Sequence, residues 1–149
     1  METSMIEDEK WMRMALAEAR KSGEMGEIPI GAVVVCKGLV VGRGHNLTES
    51  LGDVTAHAEM QAITAAAETL GGKYLTDCTL YVTVEPCLMC AGAIGWAQVP
   101  RVVFGASDSK RGYGTFVMRK PFHPKTTVTE GVLVDECATL MRDFFMSKR

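Results

Sequence analysis

The stretch LYVTVEPCLMCAGAI, residues 80–94, decides the fold because it joins a buried strand directly to a helix. Its β-branched beginning predicts a strand over residues 78–84. Pro86 then favours the first turn of a helix, where the N–H that proline lacks has no helical partner in any case. The stretch therefore predicts a strand–helix unit with Cys87 and Cys90 in the first helical turn.

The rest of the chain alternates between helical and strand patterns. Together with the strand–helix unit, the predicted elements follow the order α-β-β-α-β-α-β-α. That order predicts an α/β fold with helices on both faces of a mixed sheet, formed by residues 1–149 as a single domain. The further predicted elements are a helix at 7–22, a hairpin at 30–44 that turns at Lys37-Gly38, a helix at 56–70, a strand at 101–106, a loop region at 107–125 with room for a short helix, a strand or a turn at 131–134, and a final helix at 135–147.

Composition favours a soluble globular protein. The chain is 47% hydrophobic and 23% charged, and no apolar run approaches the ~18 residues of a membrane span. The acidic N-terminus, METSMIEDEK, lacks the basic-then-apolar order of a signal peptide. We therefore expect a cytoplasmic protein with no membrane partner, in which the five cysteines stay reduced.

Positive charge is concentrated in one region, although the whole chain carries a net charge of −2. Residues 98–125 hold six lysines and arginines against one aspartate, which gives this region a net charge of +5. A patch of one sign can steer an anionic partner when the total charge does not. A loop whose charges simply face water accounts for the same pattern, so charge alone does not identify a partner.

Cys87 and Cys90 suit either a metal ion or a redox pair. Residues i and i+3 share one face of a helix, so both sulfur atoms can reach one point. The first turn of a helix also favours negative charge and lowers thiol pKa values. These effects suit zinc thiolates and a redox dithiol alike, so the C-x-x-C pattern by itself is ambiguous.

TAHAEM, residues 55–60, supplies a third metal ligand. His57 opens a second predicted helix, and one imidazole with two thiolates is a ligand set of catalytic zinc sites that keep one open position. A structural zinc would need a fourth protein ligand, and no other cysteine or histidine stands at a short metal-clip spacing from these three. We expect Cys36, Cys78 and Cys137 to be buried core thiols.

Glu59 indicates what the predicted site does. It lies two residues from His57 and need not bind metal, so it can take a proton from water and deliver it to a leaving nitrogen. Zinc-bound hydroxide is the expected nucleophile, since zinc lowers the pKa of its water. Considered alone, Glu59 is better explained as an exposed first-turn glutamate that favours the helix dipole. Its combination with His57 and PCLMC, residues 86–90, favours catalysis.

HAE at residues 57–59 followed by PCLMC at 86–90 is the signature of zinc-dependent nucleobase deaminases. The chain further resembles the bacterial tRNA-specific adenosine deaminases, within the cytidine and deoxycytidylate deaminase superfamily, in PIGAVVV, GRGHN, DVTAHAEMQAI, RVVFGASDSK and EGVLVDECATLMRDFF. This resemblance runs from about Trp11 to the end of the chain. It implies a three-layer α/β/α cytidine deaminase-like fold, one Zn²⁺ per subunit and a homodimer.

The resemblance also implies hydrolytic deamination of adenosine to inosine at the wobble position of a tRNA anticodon loop, with no DNA partner. His57, Cys87 and Cys90 match the zinc ligands of the family. Glu59 matches the proton shuttle. The matching substrate-binding positions are Asn46 for the target nucleoside, the backbone at Ala58 for the base, and Asp108 and Lys110 for the flanking nucleotides.

Two alternative functions stay open. A deaminase of free guanine, cytosine or adenine, or of a nucleoside, would use the same zinc chemistry and differ only in pocket and loop. Trp96 leaves room for this alternative, and we expect it near a dimer interface or the pocket wall. A zinc-stabilised RNA-binding module without catalysis is the second alternative, and Glu59 argues against it because binding needs no proton shuttle.

Aromatic residues in or near the basic region are candidates for stacking on bases. Core packing is the commoner role in a chain with only 7% aromatic residues. Tyr113, Phe116 and Phe122 lie in the basic region itself. Of Phe144 and Phe145 in the last helix, one can approach RNA and at least one is expected to pack.

Overall fold

The computed structural model describes residues 2–148, which form a five-stranded mixed sheet with helices on both faces. In chain order the elements are α1 (Glu2–Glu24), β1 (Gly31–Cys36), β2 (Leu39–His45), α2 (Thr48–Leu51), α3 (Ala58–Leu70), β3 (Cys78–Val84), α4 (Leu88–Trp96), β4 (Arg101–Ala106), α5 (Tyr113–Phe116), β5 (Thr127–Glu130) and α6 (Val134–Ser147). The strands lie in the order β2-β1-β3-β4-β5. β1 is antiparallel to both β2 and β3, whereas β3, β4 and β5 are parallel. The carboxyl ends of β2, β3 and β4 therefore meet at one edge.

Two hydrophobic cores lie on the two faces of the sheet. The face under α3 and α4 buries Val34, and the face under α1 and α6 buries Val33 and Val35. Successive side chains of a strand point to opposite faces, so the continuous apolar run of β1 is buried on both sides. This arrangement confirms the predicted three-layer α/β/α fold.

α1 is the longest helix, with 23 residues, and it is amphipathic. It buries Trp11, Met12, Ala15 and Leu16 against the sheet, in agreement with the predicted helix. Within residues 2–148, none of the helices has the combination of length and apolar character needed to cross a membrane.

Glycine allows β2 to approach the N-terminal end of α3. A Cβ on Gly44 would overlap the carbonyl oxygen of Ala58. Only a residue without a side chain permits two backbones to come this close. The contact sets the depth of α3 against the sheet, and with it the position of His57 and Glu59 at the start of that helix.

The last strand and one short helix differ from the sequence prediction. Residues 131–134 form no strand, and of the two predicted alternatives the turn is confirmed. Gly131 and Leu133 have φ angles of 82° and 52°, a left-handed backbone that strands do not use. The strand lies just before this turn, where TVTE pairs in parallel with β4. α2 was not predicted, since four residues are too few to show a helical period.

Candidate active site

The ends of two helices bring the three predicted metal ligands together. His57 is the N-cap of α3, and Cys87 is the N-cap of α4, whose first turn contains Cys90. His57 Nδ1 lies 3.6 Å from Cys87 Sγ and 3.5 Å from Cys90 Sγ. Among the described residues this is the one group of three such side chains whose ligand atoms all lie close together, within 4.8 Å.

This donor set fits zinc. Zinc bonds of ~2.0–2.3 Å at tetrahedral angles place neighbouring ligand atoms about 3.5 Å apart, which is close to the two nitrogen–sulfur distances. Three protein ligands leave a fourth position open, as in catalytic zinc sites. The other cysteines lie outside the group: Cys78 and Cys137 are buried, as predicted, whereas Cys36 is only partly buried.

Hydrogen bonding within the triad favours a thiolate. A hydrogen bond from Cys90 and a second one from His57 lower the pKa of Cys87 to about 4, although burial opposes this shift. The interaction with Cys87 in turn raises the pKa of His57. The pKa of Cys90 is also raised, because Cys90 bonds to the Cys87 sulfur and is buried. A thiophilic metal ion displaces the remaining protons of such a donor set on binding.

Glu59 lies in the first turn of α3 beside the triad and is only 4% exposed. Burial raises the pKa of its carboxyl group to about 7, and the nearby Cys87 thiolate adds to this shift. A carboxyl group with a pKa near 7 can both accept and donate a proton at neutral pH. The site therefore combines a metal-binding triad with a separate acid–base group.

His57, Cys87 and Glu59 line a cleft of about 850 Å³, and together with the buried Cys90 they are called its floor. The cleft opens where the carboxyl ends of β2, β3 and β4 meet, which is the usual place for ligands in open α/β sheets. Of the predicted site residues, only the fully buried Cys90 does not line it. The predicted residues that line the cleft are Asn46, His57, Ala58, Glu59, Cys87, Asp108 and Lys110.

Backbone hydrogen bonds hold Asn46 in the cleft wall. Its Nδ2 donates to the Ile28 carbonyl at 3.3 Å, and its Oδ1 accepts the Thr48 N–H at 3.1 Å. The residue is 7% exposed. Asn46 therefore closes the turn after β2 and also lines the cleft.

Asp108 and Lys110 lie at the rim of the cleft, in the loop that follows β4. The Asp108 carboxylate accepts the backbone N–H groups of Lys110 and Arg111, both at 3.0 Å, so it organises this loop. The side chains of Lys110 and Arg111 are exposed. Arg119 and Lys120 are exposed as well but lie outside the cleft lining. The basic region predicted from sequence is thus only partly a cleft feature.

Sequence reasoning missed Glu85, which lines the cleft just before the start of α4. Its carboxylate oxygens accept the backbone N–H groups of Asp108 at 3.1 Å and Gly114 at 2.9 Å. The sequence signals were a glutamate beside PCLMC and a pair of glycines at 112 and 114. Their relationship becomes visible only when β3 and β4 pair.

The aromatic candidates divide between core and surface. Tyr113 and Phe122 are 9% and 6% exposed, and their rings pack edge to face with centroids 5.1 Å apart. The prediction that these two rings stack on bases is therefore wrong, and the alternative prediction that they pack in the core is confirmed. Phe116 is exposed. Phe145 lines the cleft, whereas Phe144 lines a separate groove beside α1.

Trp96 ends α4 and is 85% exposed. It does not line the cleft, so the prediction that Trp96 lies in the pocket wall is wrong. The other position, near a dimer interface, stays a prediction.

Comparisons with known sequences agree with this geometry. The family model for the cytidine and deoxycytidylate deaminase zinc-binding region matches residues 5–106. The tRNA-specific adenosine deaminase of Bacillus subtilis (strain 168) is 44% identical over 149 residues, covering 97% of this chain and 92% of that protein.

Solved structures give the same result. One, from work on A-to-I editing by tRNA:A34 deaminases at the wobble position of transfer RNA, aligns with a TM-score of 0.82 at 44% identity, over 88% of this chain and 98% of that chain. The guanine deaminase of Nitrosomonas europaea aligns with a TM-score of 0.81 at 26% identity, over 91% of this chain and 83% of that chain. The chain therefore belongs to the zinc-binding cytidine and deoxycytidylate deaminase family, together with the tRNA-specific adenosine deaminases.

Proposed function

We propose that this chain is a zinc-dependent tRNA adenosine deaminase, which hydrolyses adenosine to inosine at the wobble position of an anticodon loop. The observation that carries this proposal is one cleft with a zinc-type triad and a buried acid at its floor and a basic loop at its rim. A base reaches such a floor only when it is unstacked, and an RNA loop supplies an unstacked base at low cost. The identity of 44% with a tRNA-specific adenosine deaminase supports tRNA as the nucleic acid.

Glu59 is the proposed proton shuttle. When held by His57, Cys87 and Cys90, zinc provides a strong nucleophile from water at neutral pH. The Glu59 carboxyl group, with its pKa of about 7, accepts a proton and delivers it to the exocyclic nitrogen on C6 of adenine. One water is consumed and ammonia leaves, so adenosine becomes inosine. Burial of Glu59 keeps this proton away from bulk water.

Four residues are proposed to place the nucleotide. Asn46, which its backbone partners hold in place, bonds to the target nucleoside, and the backbone at Ala58 orients the base. Asp108 and Lys110 hold the flanking nucleotides at the rim. Lys110 and Arg111 are exposed there and suit phosphate contacts, which position RNA without reading its sequence.

The test uses zinc-loaded protein and two kinds of substrate in parallel. One is an anticodon stem-loop with adenine at the wobble position, and the other is a panel of free guanine, cytosine, adenine and their nucleosides. Nucleoside mass spectrometry then measures inosine in the RNA and the deaminated small molecules. Inosine at the wobble adenine alone is the expected result. Turnover of a free base with unchanged RNA would overturn the substrate and keep the metal chemistry.

Deamination of free guanine is the second candidate function. The observation that favours it is the alignment with a guanine deaminase at a TM-score of 0.81. The lower identity of 26% and the lysine and arginine at the cleft rim favour RNA instead, because a neutral base needs no cationic rim. The same two-substrate assay separates the candidates.

We further propose that residues 1–149 act as one domain in a cytoplasmic homodimer with one zinc per subunit. The resemblance to the family supports the dimer, and the exposed Trp96 is available for its interface. The five cysteines are free, as a reducing compartment would keep them. Light scattering combined with metal analysis should give the mass of two chains and one zinc per chain. A monomer or a half-loaded dimer would contradict this part of the proposal.

A further inference from the structure

Glu85 joins two parts of the cleft that are distant in sequence. One carboxylate oxygen accepts the Asp108 N–H at 3.1 Å, and the other accepts the Gly114 N–H at 2.9 Å. The backbone N–H of Glu85 donates to the Ala106 carbonyl at 2.8 Å. One residue thus bonds to both ends of the rim loop, residues 107–114, which comprises the loop after β4 and the first two residues of α5.

The rim loop also lacks side chains where it meets Glu85. A Cβ on Gly112 would overlap the Glu85 carboxyl group, and one on Gly114 would lie 3.0 Å from its Oε2. Gly112 has a φ of −61°, which any residue can adopt, so close approach and not backbone conformation explains the glycine. The loop is therefore shaped around the carboxylate.

The segment that contains Glu85 also contains Cys87, one of the three predicted metal ligands. Cys87, two residues after Glu85, forms an isolated bridge with Gly112, and the Pro86 carbonyl accepts the Tyr113 N–H at 2.9 Å. Within residues 2–148, Glu85 is thus the one side chain that forms hydrogen bonds across this junction, and the other bonds across it are made by backbone groups. Through this junction, the position of the triad and the position of Lys110 are linked.

We propose that Glu85 is a positioning residue, which holds the rim loop in the conformation that receives RNA on either side of the target base. Its role rests on the proposed function and acts through the loop. For a substitution that removes the Glu85 charge, electrostatics alone and the positioning role predict opposite changes in RNA affinity. Removing a negative charge beside a phosphate-binding loop should strengthen RNA binding, whereas loss of positioning weakens it.

The main test compares Glu85→Gln with Asp77→Asn, because both remove one negative charge. Asp77 is exposed and lies outside the cleft. Glutamine sets an NH₂ group against one of the two N–H donors, so one hydrogen bond is lost. For an anticodon stem-loop we expect KM to rise about tenfold in Glu85→Gln with kcat and zinc content nearly unchanged. Unchanged or lower KM, or loss of zinc, would overturn the proposal.

A double-mutant cycle tests the contact itself. Gly112→Ala places a methyl group against the Glu85 carboxyl group and should raise KM. In a Glu85→Ala background the obstacle is gone, so Gly112→Ala should add much less than it does alone. Additive effects of the two substitutions would show that the two positions act independently.

A readout without substrate separates this proposal from the proposed function. Trypsin cleaves after Lys110 and Arg111 when the rim loop opens. Cleavage there should be several-fold faster in Glu85→Gln than in Asp77→Asn, while both variants keep their zinc. Equal cleavage rates would overturn the role of Glu85 even if the wild-type protein deaminates RNA. Faster cleavage in Glu85→Gln would show that Glu85 holds the rim loop even if RNA is not the substrate, and the KM of the anticodon stem-loop then decides whether the held conformation receives RNA.

Discussion

The floor and the rim of the cleft are built by different means. At the floor, helix ends packed on the sheet hold the triad, and Cys90 and Glu59 are 0% and 4% exposed. At the rim, an exposed loop carries Lys110, and hydrogen bonds to Glu85 shape it. Packing positions the floor and polar contacts position the rim. We therefore expect floor substitutions to change kcat or metal content, and rim substitutions to change KM.

A second carboxylate, Glu27, makes the same kind of backbone hydrogen bonds as Glu85 but is more deeply buried. Glu27 accepts the N–H groups of Glu49 and Ser50 at 3.0 and 2.7 Å, much as Glu85 does in the rim loop. The Ser50 hydroxyl also donates to it at 2.6 Å. Glu27 is 1% exposed, and although burial alone would raise its pKa, the bond from the Ser50 hydroxyl and the two backbone bonds hold that pKa below the ordinary value. Glu27 thus stabilises the chain near Asn46 as part of the interior, whereas Glu85 is only partly buried and bonds to an exposed loop.

The largest expected effect is the loss of metal from the floor. Cys90→Ala removes one of three ligands and should abolish both zinc binding and activity, because ligand loss leaves the ion with two protein bonds. Cys137→Ala is the matched control, since Cys137 is also a buried cysteine in a helix. Zinc per chain is measured by atomic emission. Equal zinc content in the two variants would break the assignment of the triad.

A floor substitution that spares the metal should affect only turnover. Glu59→Gln keeps the shape of the side chain but cannot shuttle a proton, so kcat should fall by about 10²- to 10⁴-fold. Zinc content and RNA affinity should stay near wild type. Glu68→Gln, an exposed position on the same helix, is the control. Normal turnover in Glu59→Gln would remove Glu59 from the mechanism. Wild-type turnover that is lost in Glu59→Gln, while the variant still binds RNA normally, would exclude a purely RNA-binding role for the protein.

A rim substitution should affect binding and its salt dependence. Lys110→Ala should weaken RNA binding and reduce the slope of log affinity against log salt by about 1. Lys37→Ala removes another exposed lysine, in the β1–β2 turn outside the cleft, and should change neither quantity. Fluorescence anisotropy over a range of salt measures both. If Lys110→Ala leaves the slope unchanged, the RNA lies elsewhere on the surface.

The smallest expected effect lies outside the cleft and concerns stability alone. Burial alone would raise the pKa of Asp8, but hydrogen bonds from Arg101 and Tyr81 outweigh it and hold that pKa below 3.8. A carboxyl group with a lowered folded pKa contributes stability above its unfolded pKa, and this contribution disappears as pH falls through the folded value.

Urea unfolding at several pH values tests this remote network. The advantage of wild type over Asp8→Asn should be constant above about pH 5 and shrink below about pH 4. Activity per folded molecule should be equal in the two proteins. A change in KM or kcat in Asp8→Asn would show that floor and rim are coupled to the far face of the sheet.

The metal centre could be predicted from sequence because its residues occur in two short motifs, each within one helical turn. Cys87 and Cys90 occupy one helical turn, and His57 and Glu59 occupy another, so each motif carries its own geometry. The strand–helix unit at 80–94 likewise needs only β-branched residues and a proline. β5 escaped prediction because TVTE is an edge strand that is recognisable mainly by its pairing with β4.

The sequence by itself determined the layered α/β fold, the zinc-type donor set and the separate acid, because local spacing and side-chain chemistry specify them. Tertiary structure alone decided that Glu85 shapes the rim loop, that Tyr113 is buried and that Trp96 is exposed. These outcomes depend on the parallel pairing of β3 with β4 and on helix packing. Such contacts join residues far apart in the chain, and no short stretch of sequence contains them.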